Sequence, residues 1–147
     1  MNQELGKFKN SKSEILNPKR NPKSQILNSK QYDLEERCLN FAKRVRDYVK
    51  RLPKTISNIE YGKQLIRASG SVGANYIEAN ESLGRKDFKM KIKISKKEAK
   101  ESRYWLILTE PLKENLKEKD ELITEATELM KIFGSIAEGK KKNVCDL

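Results

Sequence analysis

Three carboxylates are the residues of this 147-residue chain whose type and spacing could do chemistry: Glu78, Glu98 and Glu101. Glu78 with Glu98 or Glu101 would form a pair able to divide acid and base roles, provided their helices meet. Other chemistry is narrowly bounded. The chain has no histidine, which excludes Ser-His-Asp and Cys-His nucleophile pairs and any metal site that needs imidazole. The Glu-x-x-His motif of ferritin-like metal centres cannot be made either. Cys38 and Cys145 stand alone, without CxxC spacing, and read as a helix-face cysteine and a tail cysteine in a reducing compartment. Asn75 and Glu78 share a helical face, as do Lys97 and Glu101. The same carboxylates therefore also suit a polar layer, with Asn80 and Ser102, that sets the register of two helices. With no cluster to support catalysis, the expectation is a protein without enzymatic activity, metal or cofactor.

The stretch SGSVGANYIEAN, residues 69–80, offers two glycines three apart. A phosphate-cradling loop would need a strand before them and a Lys-Ser/Thr after them, and has neither. A nucleic-acid-gripping GxxG turn would interrupt the apolar pattern between two short helices. Here Leu65, Ser69, Val72, Tyr76 and Ala79 run straight through. Ala68, Ser69, Gly70, Gly73 and Ala74 make a small-residue face that another backbone can approach closely. Each mid-helix glycine costs about 1 kcal/mol against alanine, which close packing must offset.

These residues need long helices to position them. In residues 32–53, Leu34, Cys38, Phe41, Val45, Tyr48 and Leu52 step by 4, 3, 4, 3, 4, a heptad seam widened by Ala42 and Val49. Asp33 is the expected N-cap and Pro53 the terminator. A second helix is expected from near Ser57 to about Ser82, burying Ile59, Leu65, Ile66, Val72, Tyr76 and Ala79. A third, from about Lys86 to Thr109, presents Phe88, Ile92, Ser95, Ala99, Ser102 and Leu106, with Trp105 beside them and Pro111 closing it. The fourth carries Leu122, Ala126, Leu129, Phe133 and Ile136, with Gly139 as its C′ residue. The brief alternation Met90–Ile94 sits inside the third helical pattern. Four striped helices on short links predict an all-α, antiparallel up-down-up-down four-helix bundle over residues 32–140.

Residues 1–31 differ in composition. Lys12–Asn17 returns with one change as Lys23–Asn28, Asn-Pro pairs stand at 17–18 and 21–22, and Lys/Arg outnumber Asp/Glu seven to two. A disordered basic tail is expected there, and a short tail over 141–147. No signal-peptide h-region or run of about 18 apolar residues is present, so a cytoplasmic protein without membrane contact is expected.

Charge is unevenly spread over a net +11. Residues 85–111 carry nine Lys/Arg against four Asp/Glu, and residues 112–138 four against seven. The third helix concentrates Arg85, Lys86, Lys89, Lys93, Lys96, Lys100 and Arg103, and the first adds Lys43, Arg44, Arg46, Lys50 and Arg51. These are the candidate contacts for RNA or DNA. Lysine dominates and exposed aromatics are few, so contacts would fall on phosphate with little sequence preference. The alternative is a solvated face on a bundle that serves protein interaction only.

DLEERCLNFAKRVRDYVKRLPKT, QLIRASGSVGANYIEANES and DFKMKIKISKKEAKESRYWLILTE resemble, in order and spacing, the four helix bundle proteins encoded in intervening sequences of bacterial 23S ribosomal RNA genes. The resemblance spans about residues 33–140. It is most specific in SVGAN-Y-x-EA and KEA-x-E-S-x-YWL. It implies an antiparallel bundle assembling into a homo-oligomeric ring, typically a pentamer. A related protein, the accessory variability determinant of diversity-generating retroelements, is a basic barrel that binds nucleic acid and partners a reverse transcriptase. Carried over onto this sequence, the motif marks Ser71, Val72, Gly73, Asn75, Tyr76, Glu78, Lys97, Glu98, Glu101 and Trp105 as structural or interface positions.

Overall fold

The computed structural model describes the backbone of residues 22–139 and the side chains of residues 33–139. It contains four α-helices, α1 (Pro22–Lys50), α2 (Ile56–Asn80), α3 (Arg85–Leu108) and α4 (Leu116–Ala137), with a 3-10 turn at Lys113–Asn115 leading into α4. No strand occurs among the described residues, and Met90–Ile94 lies within α3. The described bundle from Leu34 onward forms one compact unit. Of the expected tail over residues 1–31, residues 1–21 lie outside the described residues, as does the tail over 141–147 with Cys145.

The heptad seams become the core. Cys38, Phe41, Val45 and Tyr48 of α1 are buried with Leu65, Val72 and Tyr76 of α2, Ile92, Ala99 and Leu106 of α3, and Leu122, Leu129 and Phe133 of α4. Tyr76 meets Phe133 edge to face, with ring centroids 5.5 Å apart. Each such large side chain taken fully from water contributes roughly 1.5–3 kcal/mol. The four seams together supply the packing that helix propensity alone would leave marginal.

Short connections make successive helices antiparallel neighbours. α1 reaches α2 through two glycines. A Cβ on Gly62 would lie 3.1 Å from Val49 Cγ1, and one on Gly73 3.1 Å from Cys38 Cβ. On its other side α1 meets α4 through ion pairs from Arg37 and Arg44. α3 packs between α2 and α4, so α1 and α3 occupy diagonal corners.

The ends are tied by side chains. Thr55 caps α2 by accepting from the Asn58 amide at 3.2 Å. The buried Asn58 side chain donates to the carbonyls of Pro53 and Glu110 at 3.0 and 2.9 Å and accepts from the Glu110 amide at 2.9 Å. One residue thus clasps the α1–α2 link to the α3–α4 link. Lys119 donates to the terminal carbonyls of α3, Ile107 at 3.1 Å and Thr109 at 2.8 Å, where a cation favours the helix C-terminus. Gly139 takes φ +66° just beyond α4, the left-handed stop that its position predicts.

Two local expectations are corrected. Asp33 is not an N-cap: α1 begins at Pro22, so residues 22–31 have helical backbone. Nothing between Pro22 and Pro53 breaks a helix, and proline is well tolerated at a first helical position. Ile59 and Ile66, expected in the core, are exposed. At 100° per residue they fall outside the arc of Asn58, Leu65, Val72 and Tyr76 that faces the bundle axis.

Candidate nucleic-acid interface

α3 presents its basic residues on the side away from the core. Ile92, Ser95, Ala99, Ser102 and Leu106 take up the buried arc, and Arg85, Lys86, Lys89, Lys93, Lys96, Lys100 and Arg103 are all exposed. None of these seven forms an ion pair within the described residues. The reason lies on α4, whose acidic side chains turn the other way. Glu125 accepts from Arg37 Nε at 2.6 Å and Nη2 at 3.0 Å, and Glu128 accepts from the same guanidinium. Glu118 and Glu121 reach Arg44, at 3.4 and 3.2 Å. The acidic helix therefore engages Arg37 and Arg44 of α1 and leaves the α3 row unpaired. The Arg37 guanidinium pKa is raised, chiefly by the hydrogen bond it donates to Glu125 and against the opposing pull of burial.

The candidate residues of α1 do not join this row. Arg44 is engaged by α4, Arg46 pairs with Asp47 at 3.0 Å, and Arg51 donates to the Asp47 carbonyl at 3.2 Å. The Asp47 carboxyl is held below the usual range, chiefly by the hydrogen bond from Arg46. Lys43 and Lys50 are exposed, but on the corner diagonal to α3. The single surface suggested by composition is thus two separate patches, of which only the α3 row is long and unpaired.

One basic residue was missed because α4 reads as acidic. Lys131 lies beside Lys96 in a shallow groove of about 300 Å³, lined also by Thr127, Met130, Gly134, Ser135 and Glu138. The Lys96 stem and ammonium come within 3.5 Å of where a Gly134 Cβ would stand. That glycine, in the last turn of α4, was the available signal of close approach.

The α2–α3 side carries the carboxylates. Glu78 accepts from Lys91 Nζ at 2.7 Å, and this pairing raises the lysine pKa. Asn75 donates to the Ser71 carbonyl of its own helix at 2.9 Å, and Asn80 to Glu35 of α1 at 2.9 Å. The expected polar layer across α2 and α3 is therefore narrower than composed. Its cross-helix contacts are Lys91 on Glu78 and Ser95 Oγ donating to the Val72 carbonyl at 3.0 Å. Ser102 donates to the Glu98 carbonyl within α3 at 2.8 Å. Glu101 accepts from Trp105 Nε1 at 3.2 Å, and the indole stacks on Tyr61 with centroids 5.9 Å apart and meets Tyr104 edge to face at 5.0 Å. Burial, and then Glu101, push the Glu98 carboxyl above its ordinary range. Glu78 is thus paired with Lys91 of α3. Among the described residues no group of three His, Cys, Asp or Glu is placed to hold a metal ion, and no helix is long and apolar enough to cross a membrane.

The model of the 23S rRNA-intervening sequence protein family matches residues 30–135, all four helices of the bundle. The chain belongs to this family. Among solved structures, a protein of unknown function from the S23 ribosomal protein family of Bacteroides thetaiotaomicron is similar, with 28% identity and a TM-score of 0.61 over 74% of this chain and 98% of that one. No curated protein matches the chain. Family membership places the signature residues in context. Val72, Gly73 and Tyr76 meet the core or α1, whereas Glu98, Glu101 and Trp105 line the outer α2–α3 side.

Proposed function

We propose that this family member is a non-enzymatic, self-associating cytoplasmic bundle that binds RNA or DNA through the α3 row, with little sequence preference. The observation that carries this reading is the run of exposed, unpaired lysines at helical spacing, Lys86, Lys89, Lys93, Lys96 and Lys100. Ammonium groups on one face of a rigid helix engage backbone phosphates and release counterions, and they do not read base edges. Lys131 extends the row onto α4, and Lys43 and Lys50 form a lesser patch.

The test is a binding titration against single-stranded RNA, duplex RNA and duplex DNA at several salt concentrations. Each phosphate contact adds about 0.7–0.9 to the slope of log K against log salt. Reversing Lys93, Lys96 and Lys100 to glutamate should abolish binding with helicity intact. No binding by the unaltered chain at low salt would sink the reading. The alternative, an accessory bundle that serves protein interaction alone, is favoured by the exposed apolar residues of α2 and α3, and would leave partner assembly untouched by those reversals.

A further inference from the structure

Lys96 belongs to two features at once. It stands within the exposed α3 row, with Lys93 and Lys100 about one turn to either side, and it lines the groove between α3 and α4. The groove has room because residue 134 has no side chain. The Lys96 stem lies across Gly134, with Cε and Nζ both 3.5 Å and Cδ 3.8 Å from where a Cβ would stand. All three of these nearest atoms belong to a flexible lysine. Helix packing therefore does not require this glycine as it requires Gly73, whose Cβ would stand 3.1 Å from Cys38 Cβ. Glycine is a poor helix former, and what it supplies here is an open channel of about 300 Å³.

The chemistry of that channel is ordered along α4. Lys96 and Lys131 line its middle, and neither is in an ion pair among the described residues. Toward the start of α4 come the half-buried Met130 and Thr127, and toward its end Ser135 and Glu138. The Thr127 hydroxyl donates to the Ile123 carbonyl at 2.8 Å, and the Ser135 hydroxyl to the Lys131 carbonyl at 2.9 Å. Their protons are thereby used, so each hydroxyl offers a ligand a lone pair. Cations, a soft thioether and hydroxyl acceptors thus share one groove. An inorganic anion would use the cations alone. A nucleotide uses all three, with phosphate on the ammonium groups, the base face on the Met130 sulfur, and a base N–H or ribose O–H donated to a hydroxyl oxygen.

We propose that this groove seats one unstacked nucleotide of a single-stranded RNA whose neighbouring phosphates follow Lys93 and Lys100. The phosphate of the seated nucleotide lies at Lys96 and Lys131, and its base covers Met130 toward Thr127. The Glu138 carboxylate, at the other end, turns phosphate away from that side. Lysines three and four residues apart rise about 4.5–6 Å per step along α3, within the backbone reach of one nucleotide. The bases of a duplex are stacked and paired and cannot enter, so the groove makes the surface sensitive to strandedness. This rests on the nucleic-acid reading above and adds a seat and a preference that a row of ammonium groups alone does not create.

The test compares a short single-stranded RNA of mixed sequence with the duplex formed from it and its complement, titrated against the full chain at several salt concentrations. The unaltered chain should bind the single strand more tightly than the duplex. Gly134→Leu fills the groove without changing any charge. It should weaken single-strand binding by roughly 5- to 30-fold, the worth of one lost base contact, and leave duplex binding and the salt slope unchanged. Should Gly134→Leu lower helicity, Thr127→Leu narrows the groove at the base end and should act in the same direction. A filled groove that leaves single-strand affinity unaltered would overturn the seat while the lysine row stands. Equal loss for single strand and duplex would also overturn it, because the substitution would then have acted on the row. An unaltered chain that prefers the duplex, or binds both alike, would overturn the strand preference. No binding of either RNA at low salt would overturn this inference together with the nucleic-acid reading beneath it.

Discussion

The Tyr48 hydroxyl lies 2.8 Å from Thr109 Oγ1 inside the bundle, and Thr109 donates onward to the Leu106 carbonyl at 2.7 Å. The threonine proton is thereby used, so Tyr48 is the donor, and a two-bond relay ties α1 to the last turn of the diagonal helix α3. Tyr48→Phe removes a donor and leaves an acceptor that keeps its other bond, and should cost about 0.5–1.5 kcal/mol. Thr109→Val strands a buried phenol and should cost more, about 1–3 kcal/mol. Denaturant midpoints of the two single variants and the double would show the order. Equal costs would contradict this donor assignment.

Gly70 and Gly73 sit one turn apart on α2 and should respond oppositely to alanine. At Gly70 the added methyl enters open space, so below the concentration at which copies associate the variant should gain up to about 1 kcal/mol. At Gly73 the methyl would stand 3.1 Å from Cys38 Cβ and 3.8 Å from the Cys38 carbonyl carbon, and the forced shift between α1 and α2 should cost about 1–3 kcal/mol. Urea unfolding of both variants in dilute solution measures this, and a stabilised Gly73→Ala would count against the close approach.

Glu98 makes stability depend on pH in a defined direction. Its folded carboxyl is raised, chiefly by burial and then by Glu101, so the folded state holds this proton more tightly than the unfolded chain. Its contribution is most favourable below the ordinary carboxylate pKa and is lost as pH rises through the raised folded value. Glu98→Gln should therefore flatten the stability profile just above the ordinary carboxylate range and raise stability at neutral pH. An unchanged profile would mean that solvent or a cation from another chain already compensates the charge.

Cys38 is fully buried and its thiol is pushed up to about 12, chiefly by burial with a smaller push from Glu125. The thiolate is the reactive form. In a Cys145→Ser variant, a thiol reagent at pH 8 should label Cys38 only at the rate of global unfolding. Fast labelling in the native state would show that the α1–α2 contact at Gly73 opens locally.

Much of the architecture was legible in residue spacing. The 4-3-4-3-4 seams, Pro53, Pro111 and Gly139 specify four helices and where three of them stop, because helical periodicity and backbone-breaking residues act locally. Spacing alone could not separate inner from outer seams on α2. Ile59 and Ile66 lie on one rhythm and Leu65, Val72 and Tyr76 on another, and both look like packing faces until the neighbours α1 and α3 are in place. Gly70 and Gly73 show the same ambiguity, resolved only by what stands opposite each.

The candidate interface divides in the same way. Sequence by itself determined that α3 is basic, that α4 is acidic, and that no histidine chemistry exists. Only the tertiary structure decided which charges remain available. By placing α4 beside α1, the fold gives Glu118, Glu121, Glu125 and Glu128 to Arg44 and Arg37, and sets the α1 lysines diagonal to the α3 row. Electrostatic pairing acts over a few ångströms between residues more than 70 positions apart, a relationship that chain order does not encode and helix packing creates.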